Sequence, residues 1–291
     1  MTSQDELLGL AAEIAHEAGA GLRAAFGRTL EISAKSTPTD LVSEVDVSTE
    51  RLIRERLDAA RPDDAIMGEE GDDRPGTSGL RWVVDPLDGT VNFLFGIPQW
   101  CVSIACEDAL GTLAGVVYDP LRDQTFAAVR GGAVQVDAPS ARERAHDDLA
   151  AAVIAGGVAC ATDEEAKRAA KLEKRLFRRM GQRRALGTAA LELAWAAAGR
   201  IDVVYHEQRI HPWDVDAGLF ICQRAGLRVH RLEPLEPELA PRYLAAPAAM
   251  AAEVLELVGP SAKERRRRAS ERSPLSAERV AEAMRRRRVA D

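Results

Sequence analysis

Residues 82–93 read W-V-V-D-P-L-D-G-T-V-N-F and place Asp85 and Asp88 three positions apart at the end of a β-branched run. Pro86 keeps the residue before it extended, which sets the Asp85 carboxylate at the mouth of a strand over 82–84. Leu87, Asp88 and Gly89 then turn, bringing Asp88 and the Leu87 carbonyl round to the same point. Thr90 opens a short helix whose free N–H groups suit a phosphate. Oxygens converging in this way repel one another unless a cation sits between them, and hard donors of this kind suit Mg2+. Asp-Pro and Asp-Gly are also ordinary turn formers, so the stretch alone leaves a metal site and a structural turn both open.

Three further acidic groups fall at element ends. G-E-E-G (68–71) follows the apolar A-I-M, so Glu69 or Glu70 stands at a second strand exit. D-L-V-S-E-V-D (40–46) puts Asp46 at the opening of a helix, where capping is the plainer role. H-P-W-D-V-D-A-G (211–218) puts Asp214 at another helix start, again a capping position in the structural reading.

The elements that must position these groups follow from apolar periodicity. Leu7, Leu10, Ala11, Ile14, Ala18, Leu22 and Phe26 form a helical stripe over 4–27. Within it G-A-G-L-R-A has no strand before it, so its small residues read as helix packing and not as a dinucleotide loop. A second helix is expected over 41–60, with Val45, Leu52, Ile53 and Leu57 inward and Glu/Arg pairs outward. Short strands are expected at 65–67 and 82–84, then at 100–106, 113–118 and 125–130, as in an antiparallel sheet. After the polar 138–148 the pattern alternates: strand 153–155, helices 163–180 and 188–198, strand 201–205, helix 214–225. That alternation indicates an α/β half. The expected organisation is an α+β half at 1–143, an α/β half at 144–258 and an Arg-rich tail at 259–291, partly disordered or a short helix.

Bulk properties exclude several function classes. The net charge of −7 over 291 residues argues against generic binding of nucleic acid or anionic membrane by the body. From Lys263 to Asp291, however, 11 Lys/Arg stand against 5 Asp/Glu, so the tail is basic. No run reaches the roughly 18–20 apolar residues of a membrane helix, and the acidic amphipathic start is unlike a signal peptide. Cys101, Cys106, Cys160 and Cys222 form no C-x-x-C pair and read as reduced core thiols, hence a cytoplasmic chain without zinc. H-E-x-x-H, G-x-S-x-G and a Walker loop are all missing from the sequence.

Taken together, G-E-E-G, W-V-V-D-P-L-D-G-T-V-N-F and W-D-V-D-A-G, in this order, resemble the inositol monophosphatase family over about residues 5–258. The resemblance implies Mg2+-dependent, lithium-sensitive phosphatases, commonly dimeric. It implies a fold of alternating layers, an α-β-α-β-α sandwich of the sugar-phosphatase type, here with a basic C-terminal extension. By that resemblance Glu69, Asp85, the Leu87 carbonyl, Asp88 and Asp214 are metal ligands, with Asp85 shared between two ions. Thr90 and Asp46 orient and deprotonate the attacking water, with Glu69 beside them, while the Gly89–Thr90 backbone holds phosphate. Gly187, Thr188 and Ala189 line the substrate pocket and Glu207 binds a sugar-ring hydroxyl; the structural alternative for Glu207 is a surface residue at a strand end. Lys35 and Glu70 match supporting positions near the site. G-G-A-V-Q-V-D (131–137) and Ala225-Gly226-Leu227 depart from the family pattern without touching a ligand position. The implied substrate is inositol 1-phosphate or a similar polyol phosphate. Fructose 1,6-bisphosphate, histidinol phosphate and 3′,5′-adenosine bisphosphate are alternatives, as is a regulatory, RNA-associated protein on the same scaffold.

Overall fold

The structure, a computed structural model, describes residues 3–30, 32–34, 41–137, 148–157, 162–207, 210–233 and 241–259. Lys35, Cys160 and the tail beyond Gly259 lie outside them, and with the tail the expectation of disorder or a short helix there. Of the described residues, those up to Ala251 belong to one compact unit and 252–259 to a second.

Helix α1 (Gln4–Ala25) starts at a capping box, in which Ser3 Oγ accepts the Glu6 N–H and Glu6 accepts the Ser3 N–H. A two-stranded ribbon, β1 (Ile32–Ala34) with β2 (Leu41–Ser43), precedes α2 (Glu44–Ala60). The helix expected from 41 therefore begins three residues later. Ser43 is extended, and both its N–H and its hydroxyl go to Asp46 (2.8 and 2.5 Å), which fixes the first turn at Glu44. Not every Glu/Arg pair on α2 faces outward, either: Glu50 is 2 % exposed.

A six-stranded sheet of order β3-β4-β5-β6-β7-β8 is built from β3 (Ala65–Gly68), β4 (Arg81–Asp88), β5 (Cys101–Asp108), β6 (Gly111–Asp119), β7 (Gln124–Val129) and β8 (Gln135–Asp137). It is mixed and not purely antiparallel, because β3 runs parallel to β4. Strand β4 does not stop at Val84. It continues through Pro86 to Asp88, and its pairing with β5 shifts register between Asp85 and Asp88. Such an irregularity is where a residue without an N–H fits a ladder.

The second sheet has order β10-β9-β11-β13-β12. It comprises β9 (Val153–Ala155), β10 (Gln182–Arg184), β11 (Val203–His206), β12 (Arg228–Leu232) and β13 (Arg242–Ala246), with β9, β10 and β11 parallel and β12 and β13 antiparallel. The helices between are α3 (Thr90–Leu94), α4 (Asp163–Phe177), α5 (Ala189–Ala197) and α6 (Pro212–Arg224), with α7 (Ala248–Val258) last. Helix α4 falls short of the expected 180, because Arg179 and Met180 both donate to the Leu176 carbonyl and turn the chain into β10.

Alternation along the strands sorts the six-stranded sheet into two faces. Trp82, Val84, Val102 and Ile104 meet the α1–α2 side, whereas Val83, Cys101, Ala105 and Val117 meet α5 and α6. Helices α5 and α6 in turn pack on the second sheet through Leu193, Val215 and Leu219 against Val204 and Ala245. The result is an alternating stack of helical and sheet layers. Trp82 shows how polar atoms survive in it: its indole N–H donates to Asp64 at 2.9 Å. Cys101, Cys106 and Cys222 are buried free thiols. Among the described residues no helix is long and apolar enough to cross a membrane.

The small residues of α1 serve close packing. A Cβ on Gly19 would lie 2.6 Å from the Tyr118 ring and 2.7 Å from Pro120. Gly19→Val is expected to cost about 1–3 kcal/mol, the range of overpacking in a dense core, and to lower the melting temperature. A variant as stable as the parent would contradict this contact.

Candidate active site

The end of β4 is built from backbone restraint. Asp85 is 1 % exposed, and its Oδ1 accepts the Leu87 N–H at 3.0 Å, folding the side chain back over the irregular rungs. Gly89 has φ 101°, and a Cβ there would sit 3.0 Å from the Gln99 carbonyl oxygen, so no other residue fits this turn. The turn lets α3 begin at Thr90, whose hydroxyl lies 2.8 Å from Asp46 Oδ1 and 3.1 Å from the Leu87 carbonyl.

Asp46 caps its helix and also contacts Thr90. One oxygen closes the first turn of α2 through Ser43, and the other meets Thr90. Asp214, in the first turn of α6, likewise accepts the His211 N–H at 2.6 Å while belonging to the acidic group.

Asp88 is held from across the layer. Its Oδ2 accepts the Thr188 hydroxyl at 2.6 Å and the Ala190 N–H at 2.7 Å, docking the start of α5 onto β4. Each of Asp85, Asp88 and Asp214 offers a carboxylate oxygen within 4.8 Å of the others. Burial raises the Asp85 carboxyl well above the ordinary carboxylate range, with repulsion from Glu69, Asp88 and Asp214 adding to it. Burial likewise pushes Asp88 up to about 6, against the hydrogen bonds from Thr188 and Ala190. A divalent cation is the group that would reverse both shifts, and the donor set of hard oxygens suits one.

One thiol does approach, which the sequence did not reveal: Cys101 Sγ lies 3.7 Å from Asp88. Burial raises this thiol well above its ordinary value, so it stands there protonated and not as a soft thiolate ligand.

The remaining candidates distribute as follows. Glu69 follows β3 directly and is the largest charged contributor to the Asp85 shift, although it is not one of the three carboxylates grouped within 4.8 Å. Glu70 donates its backbone N–H to Glu50 at 2.7 Å. Gly187, Thr188 and Ala189 line a cavity of about 330 Å3 together with Asp88 and Asp214. Thr188 spends its hydroxyl proton on Asp88. Glu207 is not at the surface: it is 2 % exposed, accepts the Tyr205 hydroxyl at 2.5 Å and does not line that cavity. A larger cavity, about 420 Å3 beside Leu110 and Asp216, contains none of the candidate ligands. Its arginines are already engaged, Arg130 with Asp108 and Arg224 with the Gly132 carbonyl.

Besides Cys101, sequence reasoning missed three residues. His206 lines the cavity with Glu192, their Nε2 and Oε2 atoms 3.0 Å apart but not aligned for a hydrogen bond. The period of β11 was the available signal, since Tyr205 and Glu207 share one face and His206 takes the other. Asn92 donates to the carbonyls of Gln99 and Leu186, both at 2.7 Å, and ties α3 to the loop ahead of α5.

The model of the inositol monophosphatase family matches residues 3–272. An inositol-1-monophosphatase of Rhizobium meliloti is 38% identical over 228 residues, 77% of this chain and 85% of that protein. A protein of Pasteurella multocida named Nus factor SuhB is 35% identical over 223 residues, 76% of this chain and 83% of that one. The crystal structure of the extragenic suppressor protein suhB from Bartonella henselae superposes with a TM-score of 0.78 at 31% identity, covering 86% of this chain and 97% of that one.

The raised carboxyls make the metal-free protein pH-sensitive in a defined direction. A carboxyl whose folded pKa lies above its unfolded value stabilises the fold when protonated, and that contribution is lost as pH rises through the folded value. Asp88→Asn should therefore raise the melting temperature in EDTA at pH 7–8, with the advantage shrinking as pH falls below about 6. A variant no more stable than the parent across that range would show that Asp88 carries no unfavourable charge.

Proposed function

We propose that this chain, which belongs to the inositol monophosphatase family, is a Mg2+-dependent phosphomonoesterase acting on inositol 1-phosphate or a closely similar small polyol or sugar phosphate. The observation that carries the reading is the convergence of three carboxylates, two of them buried and one half-buried, beside a cavity large enough for such an ester. The R. meliloti relative's name supports the same substrate class.

In this reading Glu69, Asp85, the Leu87 carbonyl, Asp88 and Asp214 hold two ions. Bound there, the ions would supply charge neutralisation for the phosphate and its leaving oxygen and lower the pKa of an attacking water. The chain's own residues do the rest. Thr90 directs its proton to Asp46, leaving its oxygen lone pairs to orient a water, and Asp46 accepts the proton that water releases. The Gly89–Thr90 backbone receives phosphate oxygens. The Gly187–Ala189 segment shapes the pocket wall, and Glu207, buried against Tyr205 outside that lining, is the carboxylate assigned to a ring hydroxyl. Lys35 and Glu70 support the charged shell. The two halves meeting at 143/144 divide the work, the first carrying most ligands and the second completing the site. Lithium inhibition, a homodimer and a cytoplasmic setting accompany this reading.

The Pasteurella relative's name favours a second reading, an RNA-associated regulator using the basic tail as its contact. Salt-sensitive RNA binding by the full chain, lost on truncation after Gly259, is the measurement that would favour it.

Phosphate release from inositol 1-phosphate should require Mg2+ and stop in excess EDTA. Asp214→Asn should fold and lose turnover by on the order of 10²–10³-fold or more, as when a preorganised electrostatic group is removed. Full turnover in EDTA, or an active Asp214→Asn, would sink the metal reading. Running fructose 1,6-bisphosphate, histidinol phosphate and 3′,5′-adenosine bisphosphate alongside identifies the substrate.

Glu207→Ala separates substrate handling from structure. It should weaken hydrolysis of inositol 1-phosphate more than that of an aryl phosphate, which offers no ring hydroxyls. Equal losses on both would make Glu207 a structural partner of Tyr205 and nothing more.

A further inference from the structure

The G-E-E-G turn is braced by a residue outside the motif. Glu50 lies on α2 one turn beyond Asp46, is 2 % exposed, and directs its carboxylate under the turn. It accepts the N–H of Glu70 at 2.7 Å and of Gly71 at 2.9 Å. Arg54, a further turn along α2, donates Nε to Glu50 at 2.7 Å and Nη2 to the Gly71 carbonyl at 3.1 Å. The carboxylate and the guanidinium thus take up two backbone donors and one acceptor at Glu70 and Gly71.

The two glycines are explained by the same carboxylate. A Cβ on Gly68 would collide with Glu50, and one on Gly71 would lie 3.0 Å from Glu50 Oε1. Neither glycine is among the described residues with positive φ, so room and not backbone freedom requires them. The spacing of G-E-E-G is that of a turn wrapped around a buried carboxylate.

Such a brace answers a physical need. Glu69 adds the largest charge repulsion felt by Asp85, and a surface turn free to recoil would carry Glu69 away from the other carboxylates. Hydrogen bonds to charged groups are the strong ones, and here they link the turn to a helix that also carries Asp46. We propose that Glu50, held by Arg54, is a positioning residue that locks the 69–71 turn and so presents Glu69 to the divalent cations. This rests on the metal reading above.

The test compares Glu50→Gln and Glu69→Gln in the full chain, by Mg2+ titration calorimetry and by amide exchange at Glu70 and Gly71. Glutamine keeps the shape of Glu50 but turns an NH2 group toward one of the two backbone donors. The expected result is Mg2+ binding weakened about 10- to 100-fold in Glu50→Gln, the usual effect of losing a residue that orients a ligand. Exchange at both amides should be faster in EDTA as well as in Mg2+. Glu69→Gln should weaken Mg2+ binding while leaving those amides protected. Mg2+ binding lost in Glu69→Gln but unchanged in Glu50→Gln overturns this proposal alone, as does unchanged exchange in Glu50→Gln. Mg2+ binding unchanged in both overturns the metal reading and this proposal with it. Should Glu50→Gln not fold, Arg54→Met, which keeps the apolar stem, carries the same comparison, with weaker Mg2+ binding and faster exchange at Gly71 expected.

Discussion

Burial of negative charge at the end of β4 is the constraint on which the rest of the site depends. Asp85 and Asp88 are withdrawn from water and set beside Asp214, and both carboxyls are pushed upward by that burial. Left alone, such a group drives the elements carrying it apart. Each carboxylate is accordingly tied down by hydrogen bonds that do not depend on a cation: Asp85 by Leu87, Asp88 by Thr188 and Ala190, Asp214 by His211. The fold holds the acidic centre in place so that a cation relieves strain instead of having to gather its ligands.

Asp88 is where sheet and pocket become one structure. The start of α5 docks on its carboxylate through Thr188 and Ala190, and Thr188 with its neighbour Ala189 forms part of the cavity wall. Asn92 makes a second tie between α3 and the loop ahead of α5. The position of the cavity wall is therefore referenced to one of the three clustered carboxylates.

Much of this was legible in the sequence because carboxylates beside Pro, Gly and helix starts mark element ends in a way that needs no tertiary information. The stripe of α1 and the strand runs of the six-stranded sheet were readable for the same reason. The passage of β4 through Pro86 was not, since a register shift is a property of the partner strand β5. Edge strands such as Q-R-R and R-V-H-R-L show no apolar alternation, and their pairing with β9 and β13 alone defines them. Glu50 and Arg54 look like a surface i,i+4 pair on an amphipathic helix, and only the turn packed over them reveals the inward orientation. Glu207 has the same character, a charged residue at a strand end that the fold buries against Tyr205.

Diffraction from crystals grown with Mn2+, a divalent ion of similar oxygen preference with a usable anomalous signal, tests the acidic centre most directly. Anomalous density lying between the carboxylates of Asp85, Asp88 and Asp214 is the expected result. A protein that hydrolyses phosphate esters while those three carboxylates bind no ion would contradict it.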